Sequence, residues 1–339
     1  MLEKPAIEDA ILLACLQAEY GILAESIAFL PLGADLNTAV YRVDAAGDAV
    51  YFLKLRSGEF LEASVTVPKH LHDLGLKQVI APIPTRSGSL CANLPSCRMI
   101  LYPFITGRHG FDRNLTEPQW VEFGAAMRMF HTTPFPPDIT RGIPRESFTP
   151  QWRESVQRSL SIVQEETLTE PVAREMAAFL KPKTALLNEL VNRTGGLAGR
   201  LQKQAGDFIL CHGDIHAWNL LMTDGGAFYM VDWDTLIFAP KERDLMFIGG
   251  GLMGKWRAPA DEEALFYRGY GSSRIDPLAL AYYRYERVIE DIAIFCDQVF
   301  SATTGGEDRR QAFEYLKSYF IPGSALEIAL LQDPTGTRL

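Results

Sequence analysis

Residues 211–219 read Cys-His-Gly-Asp-Ile-His-Ala-Trp-Asn, and residues 231–234 read Val-Asp-Trp-Asp after an apolar run. Asp214 precedes Asn219 by five positions, and Asp232 follows a segment that reads as a strand. A carboxylate at Asp214 can orient a hydroxyl group and accept its proton, whereas Asn219 and Asp232 offer the hard oxygen atoms that Mg²⁺ prefers. This set predicts phosphoryl transfer from a nucleotide.

The same loop allows a second interpretation, because His212, Asp214 and His216 alternate along the chain. That pattern could hold zinc and would make the protein a zinc-dependent hydrolase. Zinc sites usually recruit further His or Cys residues, and the other histidines form no second recognisable ligand cluster in the sequence. A buried turn in which these side chains only satisfy backbone groups is the third possibility. The residues upstream of the loop favour the first interpretation.

A hairpin is predicted near the start of the chain. Residues 28–32 and 40–43 read as strands, and residues 33–38 read as the turn between them. The turn resembles a loop that covers phosphate groups, although it lacks the G-x-G-x-x-G signature, and Asn37 is its candidate nucleotide contact. An ordinary hairpin turn would have the same pattern.

Lys54 lies among apolar neighbours on the next predicted strand, residues 50–55. Burying a lysine costs free energy unless it has a partner, so a phosphate group or an ion pair is expected. Glu62, on a helix predicted over residues 60–74, is the favoured partner, and Glu59 is the competitor. The alternative is a lysine at a sheet edge that extends its amine to solvent.

A further apolar strand is predicted over residues 98–105. Pro103 cannot donate a hydrogen bond to a sheet, so the strand is expected to end there or to lie at an edge. Backbone groups near Tyr102 and Ile105 could bind the edge of an adenine, with Phe104 packed nearby. A simple linker between lobes would read the same way.

These motifs together resemble the aminoglycoside phosphotransferase family, which is distantly similar to protein kinases. The resemblance rests on His212-Gly213-Asp214 with Asn219, on residues 231–234 and on Lys54 in a third strand, and it spans nearly the whole chain. Four blocks resemble, more narrowly, the members that act on spectinomycin: residues 33–35, 102–105, 239–251 and 282–293.

The resemblance implies an α+β, bilobal, protein-kinase-like fold. An N-terminal antiparallel sheet lobe is expected over residues 1–105 and a larger, mainly helical C-terminal lobe over residues 106–339. The implied activity is Mg²⁺-dependent transfer of the γ-phosphate of ATP, or of GTP, to a hydroxyl group of an aminocyclitol or aminoglycoside antibiotic, spectinomycin first. A kinase for choline, homoserine or an amino sugar is the alternative, and a catalytically silent nucleotide-binding module is another.

The resemblance also assigns roles to individual residues. Asp214 would be the catalytic base, Asn219 and Asp232 the magnesium ligands, and Lys54 the lysine that binds phosphate. An aspartate at the position of Asp244 braces the catalytic loop in kinase-like folds, so a structural role is expected for it.

The candidate acceptor contacts, besides Asp214, are Trp218, Asp234, Glu286 and Glu290. Trp218 stands beside the reaction centre where a small residue would be unsurprising. Glu286 and Glu290 lie four positions apart on a helix predicted over residues 278–300, and such a like-charge pair needs a nearby cation. That cation could be a substrate amine, or the face could be paired internally.

Bulk properties agree with a cytoplasmic enzyme. The 339 residues suit two closely packed lobes, and 47% hydrophobic residues can supply their cores. The net charge of −9 disfavours a nucleic-acid partner and is compatible with a cationic small molecule. The five cysteines show no C-x-x-C pair, which favours reduced thiols. No leader or membrane-spanning segment is recognisable, and no obligate protein partner is evident.

Overall fold

The computed structural model describes residues 3–33, 35–164, 168–204, 206–301 and 306–334. The chain divides into two compact units: the first unit is Met1–Pro144 with Asp214–Leu236, and the second unit is Arg145–Gly213 with Ile237–Leu339. Ala34, in the predicted turn, lies outside the described residues. The predicted lobe boundary after residue 105 stays a prediction.

The first unit is built on a five-stranded antiparallel sheet. Its strands are β1 (Ala24–Leu30), β2 (Thr38–Ala45), β3 (Ala49–Ser57), β4 (Ala92–Asn93) and β5 (Cys97–Pro103), in the order β1-β2-β3-β5-β4. The two strands predicted before Lys54 and the strand that carries it are therefore confirmed, although β1 begins and ends earlier than the predicted residues 28–32. The strand predicted over residues 98–105 ends at Pro103, where the sequence placed a possible end.

The alternation of side chains decides which face of this sheet is apolar. Odd-numbered residues of the three central strands, such as Tyr41, Leu53 and Met99, pack with Leu12 and Leu16 from the N-terminal helix in one buried cluster. Lys54 has an even number and lies opposite Val40 and Ile100 in the neighbouring strands. Its side chain therefore points away from the apolar cluster.

The helices of the first unit are α1 (Asp9–Cys15), which continues as a π-helix over Leu16–Tyr20, α2 (Ala63–Asp73) and α3 (Glu117–Thr132). The Thr116 hydroxyl group accepts the backbone N–H of Gln119, and the Gln119 side chain accepts that of Thr116. This capping box starts α3, and the sequence Thr-Glu-Pro-Gln at residues 116–119 has the pattern that predicts one. Trp120, Phe123 and Phe130 on α3 are buried, in agreement with their helical spacing.

A small sheet in the first unit carries the motif with which the sequence predicts phosphoryl transfer. Its strands are β6 (Arg108–His109), β8 (Leu220–Met222) and β9 (Phe228–Met230), in the order β6-β8-β9. The loop of residues 214–219 leads directly into β8, and Asp232 follows β9. The hairpin between β8 and β9 thus places the two parts of the predicted motif at the same end of one small sheet.

The second unit is mainly helical. Its helices are α4 (Gln151–Gln164), α5 (Pro171–Leu180), α6 (Thr184–Leu201), α7 (Glu242–Leu245), α8 (Pro259–Tyr270), α9 (Pro277–Phe300), α10 (Gly306–Ser318) and α11 (Ala325–Leu331), and β7 (Ile209–Cys211) pairs with β10 (Ile237–Ala239). Helix α9 is the central element, because α4, α6, α10 and α11 all pack on it. Within the described ranges, no helix is both long enough and apolar enough to cross a membrane.

Glu262 on α8 gives the second unit a pH-dependent stability. It is 3% exposed and accepts the backbone N–H of Gly249 at 3.1 Å. Burial raises its pKa from 4.5 to about 7, although the hydrogen bond opposes this. The folded state therefore holds the proton more tightly than the unfolded state. The stability that this protonated group contributes is complete below about pH 4.5 and is lost as the pH rises through 7.

Glu262→Gln keeps the acceptor for Gly249 and removes the charge. We expect the variant to have the free energy of unfolding of the wild type at pH 4.5. As the pH rises to 8, we expect the variant to become more stable than the wild type, by up to about 3 kcal/mol. The free energy of unfolding, measured with urea at several pH values, checks this. Glu314→Gln, at a side chain 50% exposed, is the control. A difference between the Glu262 variant and wild type that stays constant with pH would contradict the expectation.

Candidate active site

Asp214 and Asn219 are brought together by the turn between them. Residues Ala217–Asn219 form one 3₁₀ turn, and Asn219 is 8% exposed. Its Nδ2 atom donates to the backbone oxygen of Asp214 at 2.7 Å and to Oδ2 of the same residue at 3.3 Å. The spacing seen in the sequence therefore corresponds to a direct contact.

His216 lies between these two residues and is the N-cap of the turn. Its Nδ1 atom accepts the backbone N–H of Trp218 at 3.1 Å, and its Nε2 atom lies 3.3 Å from Oδ1 of Asp214. The sequence pattern indicates His216 only as a possible zinc ligand. The signal that could have indicated its role is its position two residues before a backbone N–H at the start of a turn.

Asp232 has an unusual backbone conformation. Its φ of 63° lies in the left-handed region, which few residues other than glycine adopt. The preceding residue, Val231, donates its N–H to the backbone oxygen of Asn219 at 3.0 Å. The backbone directly before Asp232 is therefore hydrogen-bonded to Asn219, the other predicted magnesium ligand. A left-handed residue held in this way is typical of functional sites.

Lys54 contacts both aspartates of the second motif. Its Nζ atom lies 2.9 Å from Oδ1 of Asp232 and 2.8 Å from Oδ2 of Asp234, and the residue is 8% exposed. Burial alone would lower the pKa of Lys54, but the two carboxylates outweigh it and raise the pKa above its ordinary value. Lys54 is therefore held as a cation, and the prediction that it needs a charged partner is confirmed.

The predicted ion pair between Lys54 and Glu62 is wrong. Helix α2 begins at Ala63, so Glu62 stands at its N-cap with an exposed side chain that makes no capping bond. The charge of Lys54 is already balanced by Asp232 and Asp234, which removes the physical reason for the pair. A nucleotide contact by Glu62 stays a prediction.

The turn between β1 and β2 is organised by Asp35, which is not among the candidate residues predicted from the sequence. Its carboxylate accepts the backbone N–H of Asn37 at 2.8 Å and the hydroxyl group of Thr38 at 2.9 Å, and it contacts the guanidinium group of Arg56. The backbone oxygen of Asn37 accepts the N–H of Ser57 at 2.9 Å. An aspartate two residues before an asparagine in a turn was the available signal. The nucleotide contact by Asn37 stays a prediction.

The segment predicted to bind adenine follows β5. The N–H of Phe104 donates to the backbone oxygen of Val50 at 3.2 Å, and the Phe104 ring lies 5.0 Å below the guanidinium carbon of Arg42. The backbone N–H of Phe104 is thus used in the sheet. Contacts of Tyr102 and Ile105 with an adenine stay predictions, and burial raises the pKa of the Tyr102 phenol above its ordinary value.

Trp218 is an exposed aromatic residue within the loop of residues 214–219. Its side chain is 42% exposed, and its ring centroid lies 5.2 Å from that of His109 and 5.4 Å from that of Phe111. The His109 ring donates from Nδ1 to the backbone oxygen of Trp218 at 2.8 Å. The sequence pattern indicates the indole but not the two rings that support it, because they come from a segment about a hundred residues earlier.

Glu286 and Glu290 lie in the second unit, and each contacts its own arginine. Glu286 pairs with Arg153 at 2.7 Å, and Glu290 pairs with Arg243 at 3.3 Å. Burial raises the pKa of Glu286 to about 7, against the effect of Arg153. An internally paired face, which the sequence left open, therefore accounts for the two glutamates. A substrate amine is not needed to explain them, and their contact with an acceptor stays a prediction.

Asp244 holds the backbone that precedes Asp214. Its Oδ2 atom accepts the N–H of His212 at 2.8 Å, its Oδ1 atom accepts the N–H of Gly213 at 2.7 Å, and the carboxylate is buried. These two residues come directly before Asp214 in the chain. The structural role predicted for Asp244 is confirmed.

Comparison with known proteins links this arrangement to phosphotransferases. Residues 28–285 match the family described as the phosphotransferase enzyme family, APH. The chain is similar to the crystal structure of a spectinomycin phosphotransferase, APH(9)-Ia, in complex with ADP and spectinomycin. The sequences are 35% identical, the match covers 97% of this chain and 99% of that chain, and the TM-score is 0.89.

Two further structures extend the comparison. The AMP-bound complex of a spectinomycin phosphotransferase, APH(9)-Ia, is 34% identical over 94% of this chain and 97% of that chain, with a TM-score of 0.84. An amicoumacin kinase in complex with AMP-PNP and Ca²⁺ is 13% identical over 95% of this chain and 97% of that chain, with a TM-score of 0.62. That last likeness concerns the fold alone. A search of curated proteins found no match.

Proposed function

The chain belongs to the phosphotransferase enzyme family, and on that basis we propose that it transfers the γ-phosphoryl group of ATP to a hydroxyl group of spectinomycin. The similarity to a spectinomycin phosphotransferase along nearly the whole chain is the observation that carries this choice of acceptor. The acidic net charge of −9 agrees with a cationic acceptor.

Asp214 is the proposed catalytic base. The acceptor oxygen would attack the γ-phosphorus atom, the bond between that atom and the bridging oxygen of ADP would break, and the hydroxyl proton would pass to the Asp214 carboxylate. The contact from Asn219 Nδ2 supports this role, because it limits rotation of the carboxylate. The hydrogen bond from the Gly213 N–H to Asp244 supports this role too, because it restricts the backbone directly before Asp214.

Asn219 and Asp232 are the proposed magnesium ligands, and their chemistry fits this ion. The Asn219 amide turns its nitrogen toward Asp214, so its oxygen points the other way. The Asp232 side chain is 50% exposed and is held by a left-handed backbone. An amide oxygen and a carboxylate are hard ligands, and one or two protein ligands suffice for Mg²⁺. When bound, the ion supplies neutralisation of the phosphate charge.

Lys54 is the proposed phosphate-binding residue. Its ammonium group is buried and fully charged, so it can stabilise a phosphate oxygen. In the structure its donors are directed at Asp232 and Asp234. A nucleotide would therefore share Lys54 with these carboxylates or displace one of them.

The zinc-hydrolase interpretation loses its support at His216. A zinc ligand must present a lone pair from one ring nitrogen, yet Nδ1 of His216 accepts the Trp218 N–H and Nε2 faces Asp214. The family assignment agrees, because it makes the chain a phosphotransferase.

ADP release in the presence of ATP and Mg²⁺ tests the proposal. Spectinomycin would be compared with a panel of aminoglycosides, choline, homoserine, an amino sugar and no acceptor. We expect turnover with spectinomycin well above the rate without acceptor, together with a product whose mass is larger by one phosphoryl group. Turnover with a different acceptor would keep the reaction class and overturn the choice of spectinomycin.

A further inference from the structure

We propose that His216 is a positioning residue that fixes the Asp214 carboxylate for proton transfer; this inference rests on the proposed function of Asp214 as the base. The side chains of His216 and Asp214 are 14% and 19% exposed, so water has limited access to their contact. Nδ1 of His216 lies 3.1 Å from the Trp218 nitrogen, and Nε2 lies 3.3 Å from Oδ1 of Asp214. One imidazole ring thus bridges the turn backbone and the base.

The hydrogen bond from the Trp218 backbone determines which ring nitrogen of His216 carries the proton. A backbone N–H can only donate, so Nδ1 must present a lone pair to Trp218. In the neutral ring the proton is then on Nε2, the atom that faces the carboxylate of Asp214. His216 is therefore set up as a donor to Asp214, and the turn selects the tautomer that makes this possible.

Asp214 is consequently held at both carboxylate oxygens. His216 approaches Oδ1, and Asn219 Nδ2 approaches Oδ2 at 3.3 Å. Two donors on opposite oxygens resist rotation of the carboxylate about its χ2 angle. Each oxygen has a second lone pair, so the group can still accept the proton of an acceptor hydroxyl.

Capping alone does not explain a histidine at this position. Ser, Thr, Asp and Asn are the usual residues that accept a backbone N–H at the start of a helical turn. Each of them would satisfy the N–H of Trp218, and none has a second nitrogen that reaches Asp214. The contact through Nε2 is the feature that distinguishes His216 from an ordinary cap.

Three substitutions separate the two roles of the ring. His216→Asn retains an acceptor at the position of Nδ1 and loses the donor, whereas His216→Gln can place an N–H near the position of Nε2 and loses the cap. His216→Ala removes both. If positioning matters, we expect kcat to fall about 10- to 100-fold in the Ala and Asn variants and to recover mostly in the Gln variant, with the KM for ATP little changed. His72→Gln, at a side chain 54% exposed, is the control.

Two kinetic outcomes would overturn the inference. If His216→Asn has as high a kcat as His216→Gln, the cap on the Trp218 N–H is sufficient to explain the role of His216. If the Ala variant keeps the wild-type kcat, the contact has no role in turnover. Asp214→Ala is measured alongside. If this variant retains turnover, the assignment of Asp214 as the base fails. If it loses turnover while the His216 variants keep the wild-type rate, only the positioning role is rejected.

A spectroscopic measurement on the wild-type protein covers the case in which a variant does not fold or spectinomycin is not the acceptor. Long-range ¹H–¹⁵N spectra of histidine-labelled protein report which ring nitrogen carries the proton. We expect His216 to carry it on Nε2, and we expect its signals to shift in Asp214→Asn. Protonation on Nδ1, or signals that ignore Asp214→Asn, would contradict the proposal without reference to activity.

Discussion

Asp214→Ala is expected to lower turnover about 10²- to 10⁴-fold, the usual loss when a general base is removed. The substitution takes away the carboxylate that would receive the acceptor proton and leaves Lys54, Asn219 and Asp232 in place. ATP binding should therefore persist. Single-turnover kinetics would measure the chemical step, and equilibrium titration would measure the affinity for ATP in the presence of Mg²⁺.

Asp224→Ala is the matched control for this prediction. Asp224 belongs to the hairpin between β8 and β9, its side chain is 92% exposed, and it pairs with Arg113 at 2.8 Å. We expect wild-type turnover in this variant. An Asp214→Ala enzyme with an unchanged rate would remove Asp214 from the mechanism, and loss of ATP binding in that variant would point to a damaged site instead.

Lys54→Met is expected to lower kcat/KM about 10²- to 10³-fold, because it removes a buried cation that would stabilise charge on the transferred phosphoryl group. Methionine keeps an unbranched apolar stem of similar length within β3. The change also leaves Asp232 and Asp234 without their shared cation. The repulsion between two carboxylates and the nucleotide phosphates should weaken ATP binding as well as slow the reaction.

Lys69→Met on α2 is the matched control for Lys54→Met. Its side chain is 33% exposed and pairs with Asp73 within the helix, an interaction worth a few tenths of a kcal/mol. Thermal unfolding of both variants separates loss of structure from loss of function. A folded Lys54→Met protein with wild-type affinity for ATP would show that the lysine serves the two aspartates and not the nucleotide.

The resemblance to the aminoglycoside phosphotransferase family predicts the α+β, kinase-like fold, and the comparisons confirm it. Local patterns were sufficient for the strand that carries Lys54, for the capping box at Thr116 and for the placement of Asp214 and Asn219 in one short loop. Each of these depends on residues a few positions apart, where side-chain periodicity and turn chemistry act directly.

The pairing of Lys54 could not be predicted in the same way. Its partners Asp232 and Asp234 stand 178 and 180 residues later in the chain, and the choice between them and Glu62 depends on where α2 begins and on how β9 ends. The left-handed backbone at Asp232 is equally invisible to periodicity. Long-range packing decides such contacts, and a single sequence does not contain that geometry.

The first unit is built from two separate segments of the chain, and this affects the order in which its parts are synthesised. Lys54 lies within Met1–Pro144, whereas Asp214, Asn219 and Asp232 belong to Asp214–Leu236, which joins the same unit only after the chain has passed through residues 145–213. During synthesis the five-stranded sheet can emerge from the ribosome well before its acidic partners exist. Lys54 therefore gains its partners Asp232 and Asp234 only when a later segment of the nascent chain is made, and a chain truncated before residue 214 would have the sheet without the proposed base and magnesium ligands.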